Sequence, residues 1–303
     1  MKLRKLAVFL LASVFSCSAL FTPVSARDVS NGSISLKVEE YDHETNQITE
    51  KTIYINPSET PPAISDSPAM ETYGLIGTTD RRTRVDPTKA PYDGIAYLDL
   101  RYDSAPTQRV GTGFLISPNV IVTAAHNLKY INDEWCKSYT VYIGNQKRTV
   151  KKTFVPADWS ANNHLVKDDY AVIILNEYIT DATQFTLSTA AAGTGEYTVA
   201  GYCFWDRDYN LYKHSGTVYA TTDSEGSPVY RYQIDQISGQ SGGPVYNRSN
   251  KVIGINAYEI GGDEKPFVKY EHTGYRDNCS YNEAVRITSS IKGFFDYYVN
   301  QYQ

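Results

Sequence analysis

The stretch Gly239-Gln-Ser-Gly-Gly-Pro244 constrains the fold and the chemistry of this chain more than any other part of the sequence. It places Ser241 in a glycine-rich turn, where no bulky neighbouring side chain blocks the approach of a substrate carbonyl to the hydroxyl. Such a turn can aim its flanking backbone N–H groups at the oxyanion that forms on attack. Because a serine hydroxyl alone is a weak nucleophile, the stretch predicts a histidine base and a carboxylate that orients it.

Two upstream segments supply candidates for these partners. His126 follows the apolar run that includes Val122, and Asp169 directly precedes the apolar run from Tyr170 to Leu175. Each residue alone is compatible with an ordinary turn or strand end, so the prediction depends on their joint occurrence in the order histidine, aspartate, serine. The other histidines lie in segments that suit a catalytic base less well, namely a removable N-terminal segment or polar and charged loops: His43, His164, His214 and His272.

Short β-type runs fill the chain from residue 90 onward. Turn residues separate them at a spacing of about ten residues, which predicts an all-β barrel or sandwich and not alternating βαβ units. The runs are 95–100, 113–116, 120–122, 140–143, 170–175, 197–200, 216–220, 229–234, 252–255 and 284–287. Only the end of the chain has helical periodicity, from Ile291 to Tyr302, with Thr288, Ser289 or Ser290 available as N-cap.

The first 26 residues have the three parts of a secretory signal peptide. A basic start with Lys2, Arg4 and Lys5 precedes a mostly apolar run over 6–20, and Val24-Ser-Ala26 is a small-residue cleavage site. We therefore expect residues 1–26 to be removed and the protein to be secreted to the extracellular space. No other stretch is long and apolar enough for a membrane span, so we expect no membrane association after the signal is removed.

Residues 27–73 are predicted to be an acidic pro-peptide that ends in a Pro/Ser linker. Segments 34–41 and 52–56 alternate apolar and polar residues and predict a hairpin, whereas 57–68 has the composition of an exposed linker. The segment contains nine acidic and three basic residues, so the acidity of the chain belongs to it and not to the predicted catalytic domain over 74–303. A small accessory domain that stays attached is the alternative. No part of the chain has the basic patch of a nucleic-acid-binding protein.

The chain resembles the trypsin- and chymotrypsin-like serine peptidases through Thr123-Ala-Ala-His126, Asp169-Tyr-Ala171 and the Ser241 stretch. Within them it is similar to the bacterial glutamyl endopeptidase branch. The segments that support this closer similarity are 75–85, 90–97 and 154–159. The resemblance covers residues 74–303 and implies two six-stranded antiparallel β-barrels of the chymotrypsin-like type, followed by a C-terminal α-helix.

The resemblance also implies a mechanism through an acyl-enzyme. Ser241 is the expected nucleophile, His126 the general base and Asp169 the group that orients the histidine, while Gly239 and Ser241 form the expected oxyanion hole. Protein or peptide substrates, no cofactor and a monomeric state are expected. No cluster of His, Cys, Asp or Glu in the sequence has the spacing of a metal site.

Asp235 and Asn256 are the predicted substrate-binding residues. Asp235 lies six residues before the serine, where trypsin-like enzymes have an acid that binds basic side chains. Asn256 follows the strand-like Val252–Ile255, where the glutamyl branch usually presents a histidine that pairs with glutamate. Because asparagine has no titratable charge, a preference for acidic residues before the scissile bond stays open. A strand-edge amide that bonds local backbone is the alternative role of Asn256.

Activation is expected to differ from that of animal zymogens. Those enzymes have an aspartate immediately before the serine that captures the new N-terminus, and this chain has Gln240 there. In the glutamyl branch the mature N-terminal amine lies near the specificity pocket, and we predict processing between Glu71 and Ile76. The cysteines left after signal removal, Cys136, Cys203 and Cys279, allow at most one internal disulfide, whose pairing stays open.

Two other functions compete with a serine endopeptidase. A catalytically silent, peptidase-shaped binding protein would keep the sequence pattern but misplace one of the three residues. A serine esterase or lipase is favoured by Gly239-x-Ser-x-Gly243, which also fits the nucleophile elbow of hydrolases. That elbow requires a helix after the serine, and Pro244 argues against one.

Overall fold

The structure is a computed structural model that describes residues 32–57, 80–104, 108–130, 132–193, 195–203, 210–223, 225–260 and 281–303. The predicted signal peptide, most of the Pro/Ser linker and the predicted processing site lie outside the described residues, as do His272 and Cys279. No helix in the described ranges is long and apolar enough to cross a membrane.

The described residues form β-strands in two sheets and two α-helices. In chain order the strands are β1 (Ile34–Asp42), β2 (Gln47–Ile55), β3 (Thr83–Val85), β4 (Ile95–Arg101), β5 (Arg109–Ser117), β6 (Val120–Thr123), β7 (Ser138–Ile143), β8 (Gln146–Arg148), β9 (Val150–Pro156), β10 (Ala171–Leu175), β11 (Thr186–Leu187), β12 (Tyr197–Tyr202), β13 (Leu211–Gly216), β14 (Val218–Thr222), β15 (Pro228–Tyr232), β16 (Pro244–Tyr246), β17 (Lys251–Ile260) and β18 (Tyr281–Arg286). The helices are α1 (Asp158–Ala161) and α2 (Ser289–Tyr302).

The first sheet has the order β2-β1-β9-β10-β6-β5-β4-β7-β8, and every pair in it is antiparallel. Its centre consists of fully buried strands such as β6 and β10, which read as continuous apolar runs because both faces are covered. The second sheet has the order β14-β15-β18-β17-β16-β12-β13-β3, and β11 adds a parallel pair with β17.

The predicted all-β class and the C-terminal helix are confirmed, and the strand count differs from the prediction. Each sheet has nine strands in the described part of the chain where six were expected. The hydrogen-bonded paths end at β2 and β8 and at β14 and β3, so neither described sheet closes on itself through them.

The predicted N-terminal hairpin is confirmed, and it packs on the first sheet. Strand β1 pairs with β9 over the register Val38↔Pro156 to Asp42↔Lys152. Val38, Ile53 and Ile55 are buried in the same apolar cluster as residues of α2, including Phe294. The hairpin therefore packs as an edge of the first sheet in the unprocessed chain.

Helix α2 closes this core from the C-terminal end. Thr288 is its N-cap, and the threonine side chain accepts a hydrogen bond from Ile291 N at 3.3 Å, as one of the predicted caps. Phe294, Phe295 and Tyr298 are fully buried against the first sheet, which explains the apolar periodicity of the sequence.

Candidate active site

His126 and Asp169 meet because their strands are neighbours. His126 lies in a 3-10 turn (Ala125–Asn127) directly after β6, and Asp169 lies directly before β10. Strands β6 and β10 pair antiparallel with Thr123 opposite Ala171, which places the end of one strand beside the start of the other. The register of two buried strands therefore determines the distance between the two side chains.

The contact between them orients the imidazole. His126 Nδ1 lies 2.7 Å from Asp169 Oδ2, and the backbone N–H of His126 donates to Asp169 Oδ1 at 2.9 Å. The Asp169 side chain is fully buried, whereas that of His126 is 17% exposed. A carboxylate is only an acceptor, so Nδ1 is the protonated nitrogen and Nε2 is left as the base.

Ser241 lies in a turn whose next residue, Gly242, can only be a glycine. Gly242 has φ +87°, and a Cβ at this position would lie 2.1 Å from the carbonyl oxygen of Thr112. The same close approach provides two hydrogen bonds to the Ser241 carbonyl oxygen, from Thr112 N and from Asn127 Nδ2, both at 2.9 Å. Because Asn127 follows His126, the serine turn is tied directly to the histidine turn.

One cleft contains the histidine and the serine turn. It has a volume of about 420 Å³, and its lining includes His126, Asn127, Ser238, Gly239 and Ser241. Among the described residues, no acceptor receives a hydrogen bond from the backbone N–H groups of Gly239 and Ser241. The Ser241 hydroxyl donates to the carbonyl oxygen of Ala257 at 3.1 Å. The cleft thus combines a hydroxyl, an oriented imidazole and two available N–H donors.

Asp235 is not among the residues that line this cleft. It is 1% exposed, and its carboxylate is held by Arg81, whose Nε donates to Oδ2 at 3.0 Å and whose Nη2 donates to Oδ1 at 2.9 Å. The backbone N–H of Arg81 also donates to Oδ2 at 2.9 Å. His214 accepts a hydrogen bond from Asp235 N at 2.6 Å; it lies in β13 and not in the predicted polar loop.

Asn256 is also absent from the lining of the cleft and is 1% exposed. Its Nδ2 donates to the carbonyl oxygen of Gln240 at 3.0 Å, and its Oδ1 accepts from the hydroxyl of Tyr232. Its backbone carbonyl accepts from Gly242 N at 2.7 Å. Asn256 therefore supports the serine turn through buried hydrogen bonds, which is the alternative role that the sequence left open.

A buried ion pair lies behind the serine turn and was not found from the sequence. Arg82 and Asp80 form it, with Nη2 and Oδ2 2.8 Å apart and both side chains almost fully buried. Arg82 Nη1 also donates to the sulfur of Cys203 at 2.8 Å and to Gln240 Oε1 at 3.4 Å. Gln240 therefore contacts the segment that follows the predicted processing site. As an amide it cannot form the ion pair that the aspartate of animal zymogens makes with the new N-terminus.

The other described cysteine, Cys136, lies in the core of the first sheet. Burial raises the pKa of its thiol to about 12, so it is not a reactive nucleophile near neutral pH.

Residues 111–255 match the family model described as a trypsin-like peptidase domain, and this range includes the histidine, the aspartate and the serine. The chain contains a trypsin-like serine peptidase domain. The matched range begins in β5 of the first sheet and ends in β17 of the second, so it includes strands of both sheets.

Two proteins that are similar to the chain over most of its length are Bacillus peptidases. A glutamyl endopeptidase of Bacillus licheniformis is 26% identical over 242 residues, which is 74% of this chain and 70% of the relative. An extracellular metalloprotease of Bacillus subtilis is 26% identical over 254 residues, which is 77% of this chain and 72% of the relative. A solved structure of a Glu endopeptidase in complex with MPD has a TM-score of 0.56 at 23% identity, over 72% of this chain and 96% of that one.

The description of one relative as a metalloprotease raises the question of a metal site in this peptidase domain. In the described ranges, no group of three or more His, Cys, Asp or Glu side chains could hold a metal ion. The described residues therefore do not fit a catalytic metal, and no step of the chemistry below is assigned to one.

Proposed function

We propose that this protein is a secreted serine endopeptidase, made as a zymogen, that hydrolyses protein or peptide substrates through an acyl-enzyme. The observation that supports this most strongly is the 2.7 Å contact between His126 Nδ1 and Asp169 Oδ2, in a cleft that also contains Ser241. An oriented imidazole beside a serine in a glycine-rich turn is the arrangement that activates a hydroxyl for attack on a carbonyl.

Each described group has a role in the proposed reaction. Ser241 Oγ attacks the scissile carbonyl while its proton passes to His126 Nε2, and the N–H groups of Gly239 and Ser241 bind the oxyanion. Asp169 stabilises the imidazolium that forms. His126 then gives the proton to the leaving amine, and a water molecule repeats the sequence on the acyl-enzyme to release the acid and restore Ser241.

The hydrogen bond from Ser241 to Ala257 defines the resting state of the nucleophile. A hydroxyl has one proton, so the 3.1 Å bond to the Ala257 carbonyl directs this proton away from the base. Rotation about the Cα–Cβ bond of Ser241 redirects the proton to His126 when substrate is bound. Catalytic hydrogen bonds of this kind commonly tighten only in the complex with substrate.

Secretion and processing are supported by the sequence pattern of residues 1–26 and by the Bacillus subtilis relative, which is described as extracellular. Processing between Glu71 and Ile76 would leave a new N-terminus a few residues before Asp80. This segment continues into Arg81 and Arg82, which contact Asp235 and Gln240. A cut there would therefore create a chain end close to a segment that is hydrogen-bonded to the serine turn through Arg82 and Gln240.

A preference for acidic residues before the scissile bond is supported by the partner of Asp235. A carboxylate that binds basic substrate side chains must be available, and that of Asp235 already accepts three hydrogen bonds from Arg81. The Arg81 side chain is 43% exposed and that of Asp235 is fully buried. A substrate side chain that reached this pair would therefore contact the Arg81 guanidinium and not the Asp235 carboxylate. A glutamyl endopeptidase among the relatives agrees with this preference.

A serine-directed fluorophosphonate tests the proposed function. The processed wild-type protein should be labelled covalently, and the Ser241→Ala variant should not be labelled, because the probe reacts only with an activated serine. Folded wild-type protein that is not labelled would instead support a silent, peptidase-shaped binding protein. Labelling that persists in Ser241→Ala would place the nucleophile elsewhere.

A further inference from the structure

The lining of the cleft contains an arginine that the proposed mechanism does not use. Arg109 is the first residue of β5 and lines the cleft together with Tyr102 and Tyr130. Its guanidinium carbon lies 4.1 Å from the ring centroid of Tyr130 and 5.9 Å from that of Tyr102. These cation–π contacts hold the planar group in place without using its N–H donors.

The position of this arginine is coupled to the catalytic histidine. The hydroxyl of Tyr102 donates to the backbone carbonyl of Asn127 at 2.8 Å and to that of His126 at 3.2 Å. Burial raises the pKa of the Tyr102 hydroxyl, so it stays a neutral donor. One of the two rings beneath the guanidinium is thus fixed to the turn that contains the base.

The charge of Arg109 is not neutralised within the protein. Among the residues that the structure describes, no carboxylate forms an ion pair with Arg109 and no acceptor receives a hydrogen bond from its side chain. Arg101 and Lys137, by contrast, each form an ion pair. Arg101 Nη2 lies 3.7 Å from Asp99 Oδ2, and Lys137 Nζ lies 2.7 Å from Asp103 Oδ2. A fixed guanidinium with available donors in a concave, tyrosine-lined site matches a carboxylate ligand.

We propose that Arg109, with Tyr102 and Tyr130, forms a subsite that binds a carboxylate on the leaving-group side of the scissile bond. This proposal rests on the proposed function and adds a second specificity determinant to it. Asp235 and Asn256, the residues at the positions expected to contact the side chain before the bond, do not line this cleft. The cleft lies beside His126, which protonates the leaving amine, so it receives the part of the peptide that follows the bond. The carboxylate is either an acidic side chain or the C-terminus of a short leaving peptide.

Internally quenched peptides test the subsite. One set has the same residue before the scissile bond and Glu or Gln at the first or second position after it. A second set ends two residues after the bond, with a free carboxylate or an amide. For the wild-type enzyme, kcat/KM should be about tenfold or more higher for the acid than for the amide in at least one set, because a charge-assisted pair is lost with the amide. The set that shows the ratio identifies the source of the carboxylate.

Variants assign the effect to Arg109. In Arg109→Gln the acid-to-amide ratio should fall to near one, and labelling of Ser241 by the serine-directed fluorophosphonate shows that the variant is folded. Arg109→Lys should keep part of the ratio. Arg248→Gln removes the same charge at an exposed site next to Glu196 and should keep all of it.

Hydrolysis of acid and amide peptides at equal rates by the wild-type enzyme would overturn the subsite alone. An acid preference that persists in Arg109→Gln would do the same. Hydrolysis of no peptide would overturn the proposed function and the subsite with it.

Discussion

Arg81 holds the carboxylate of the buried Asp235, with 2.9 Å between Nη2 and Oδ1 and 3.0 Å between Nε and Oδ2. The two residues are 154 positions apart, and the contact joins the segment after the predicted processing site to the loop that leads to Ser241. The same segment contributes Arg82, which contacts Gln240. The geometry of the serine turn therefore depends on residues near the start of the peptidase domain.

The first prediction follows from the difference in burial between Arg81 and Asp235. Arg81→Gln leaves the buried carboxylate of Asp235 without its cation, whereas Asp235→Asn leaves an arginine that is already 43% exposed. We expect Arg81→Gln to lower the free energy of unfolding by about 1–2 kcal/mol, less than for a fully buried pair because solvent screens Arg81. Asp235→Asn should cost less. Urea unfolding at pH 7 measures both, and an equal or larger cost for Asp235→Asn would contradict the burial argument.

The second prediction concerns Asn256 and Tyr232. Asn256→Ala removes one hydrogen bond from each of two buried groups, the hydroxyl of Tyr232 and the carbonyl of Gln240, which still accepts from Gly243 N at 3.0 Å. We expect a loss of about 1–3 kcal/mol in the free energy of unfolding, since each of the two lost hydrogen bonds contributes about 0.5–1.5 kcal/mol. Tyr232→Phe should cost less. The double variant should be more stable than the sum of the single changes predicts, because Phe leaves no hydroxyl to satisfy. Strict additivity in urea unfolding would show that the two side chains are not coupled.

The third prediction is a pH dependence that originates in the hairpin. His43 packs between Tyr41 and Tyr139, at ring-centroid distances of 4.5 Å and 4.8 Å, and burial lowers its pKa from 6.5 to about 4 against the opposing charge of Asp42. Between pH 6.5 and pH 4 the unfolded chain binds a proton at His43 that the folded protein does not bind. The free energy of unfolding must therefore fall as the pH falls through this window, by about 1–2 kcal/mol between pH 7 and pH 5.

The His43→Gln variant, compared with the wild-type protein in the unprocessed chain that still contains residue 43, isolates this contribution. Other groups also titrate between pH 7 and pH 5, so the relevant quantity is the difference between the wild-type protein and the variant at each pH. The wild-type protein should lose more stability than His43→Gln on acidification. Parallel pH profiles for the two proteins would show that His43 is as accessible to protons in the folded state as in the unfolded chain.

Much of the fold could be predicted from the sequence because most strands are apolar or alternating over four or more residues. The runs at 95–100 and 120–122 correspond to β4 and β6 with small changes at the ends. Strand β13 was not predicted, because Lys213, His214 and Ser215 interrupt the apolar pattern. Its hydrogen bonds to β12 and β3, not its own side chains, determine its conformation.

In the candidate site, too, local sequence patterns predicted some residues, whereas contacts from distant parts of the chain determine others. The residue types and order of His126, Asp169 and Ser241 predicted a base, an orienting carboxylate and a nucleophile, and the structure brings the first two into contact and all three to one region. Asp235 was chosen by its distance from Ser241 along the chain, and Asn256 by its position after the strand-like Val252–Ile255. Their partners, Arg81 and Tyr232, come from other strands or a distant segment, and no local pattern could identify them.

The most direct test of the account is the effect of Asp169→Asn on kcat, with Asp168→Asn as the matched control. Asp168 is the adjacent aspartate, and its carboxylate accepts a hydrogen bond from Asn162 at 2.9 Å and not from the histidine. If Asp169 orients His126, Asp169→Asn should lower kcat for a cleaved peptide by about 10⁴-fold, because the amide favours the wrong tautomer of the imidazole. Asp168→Asn should stay within a few-fold of the wild-type enzyme. Equal activity of the two variants would contradict the proposed roles of His126 and Asp169.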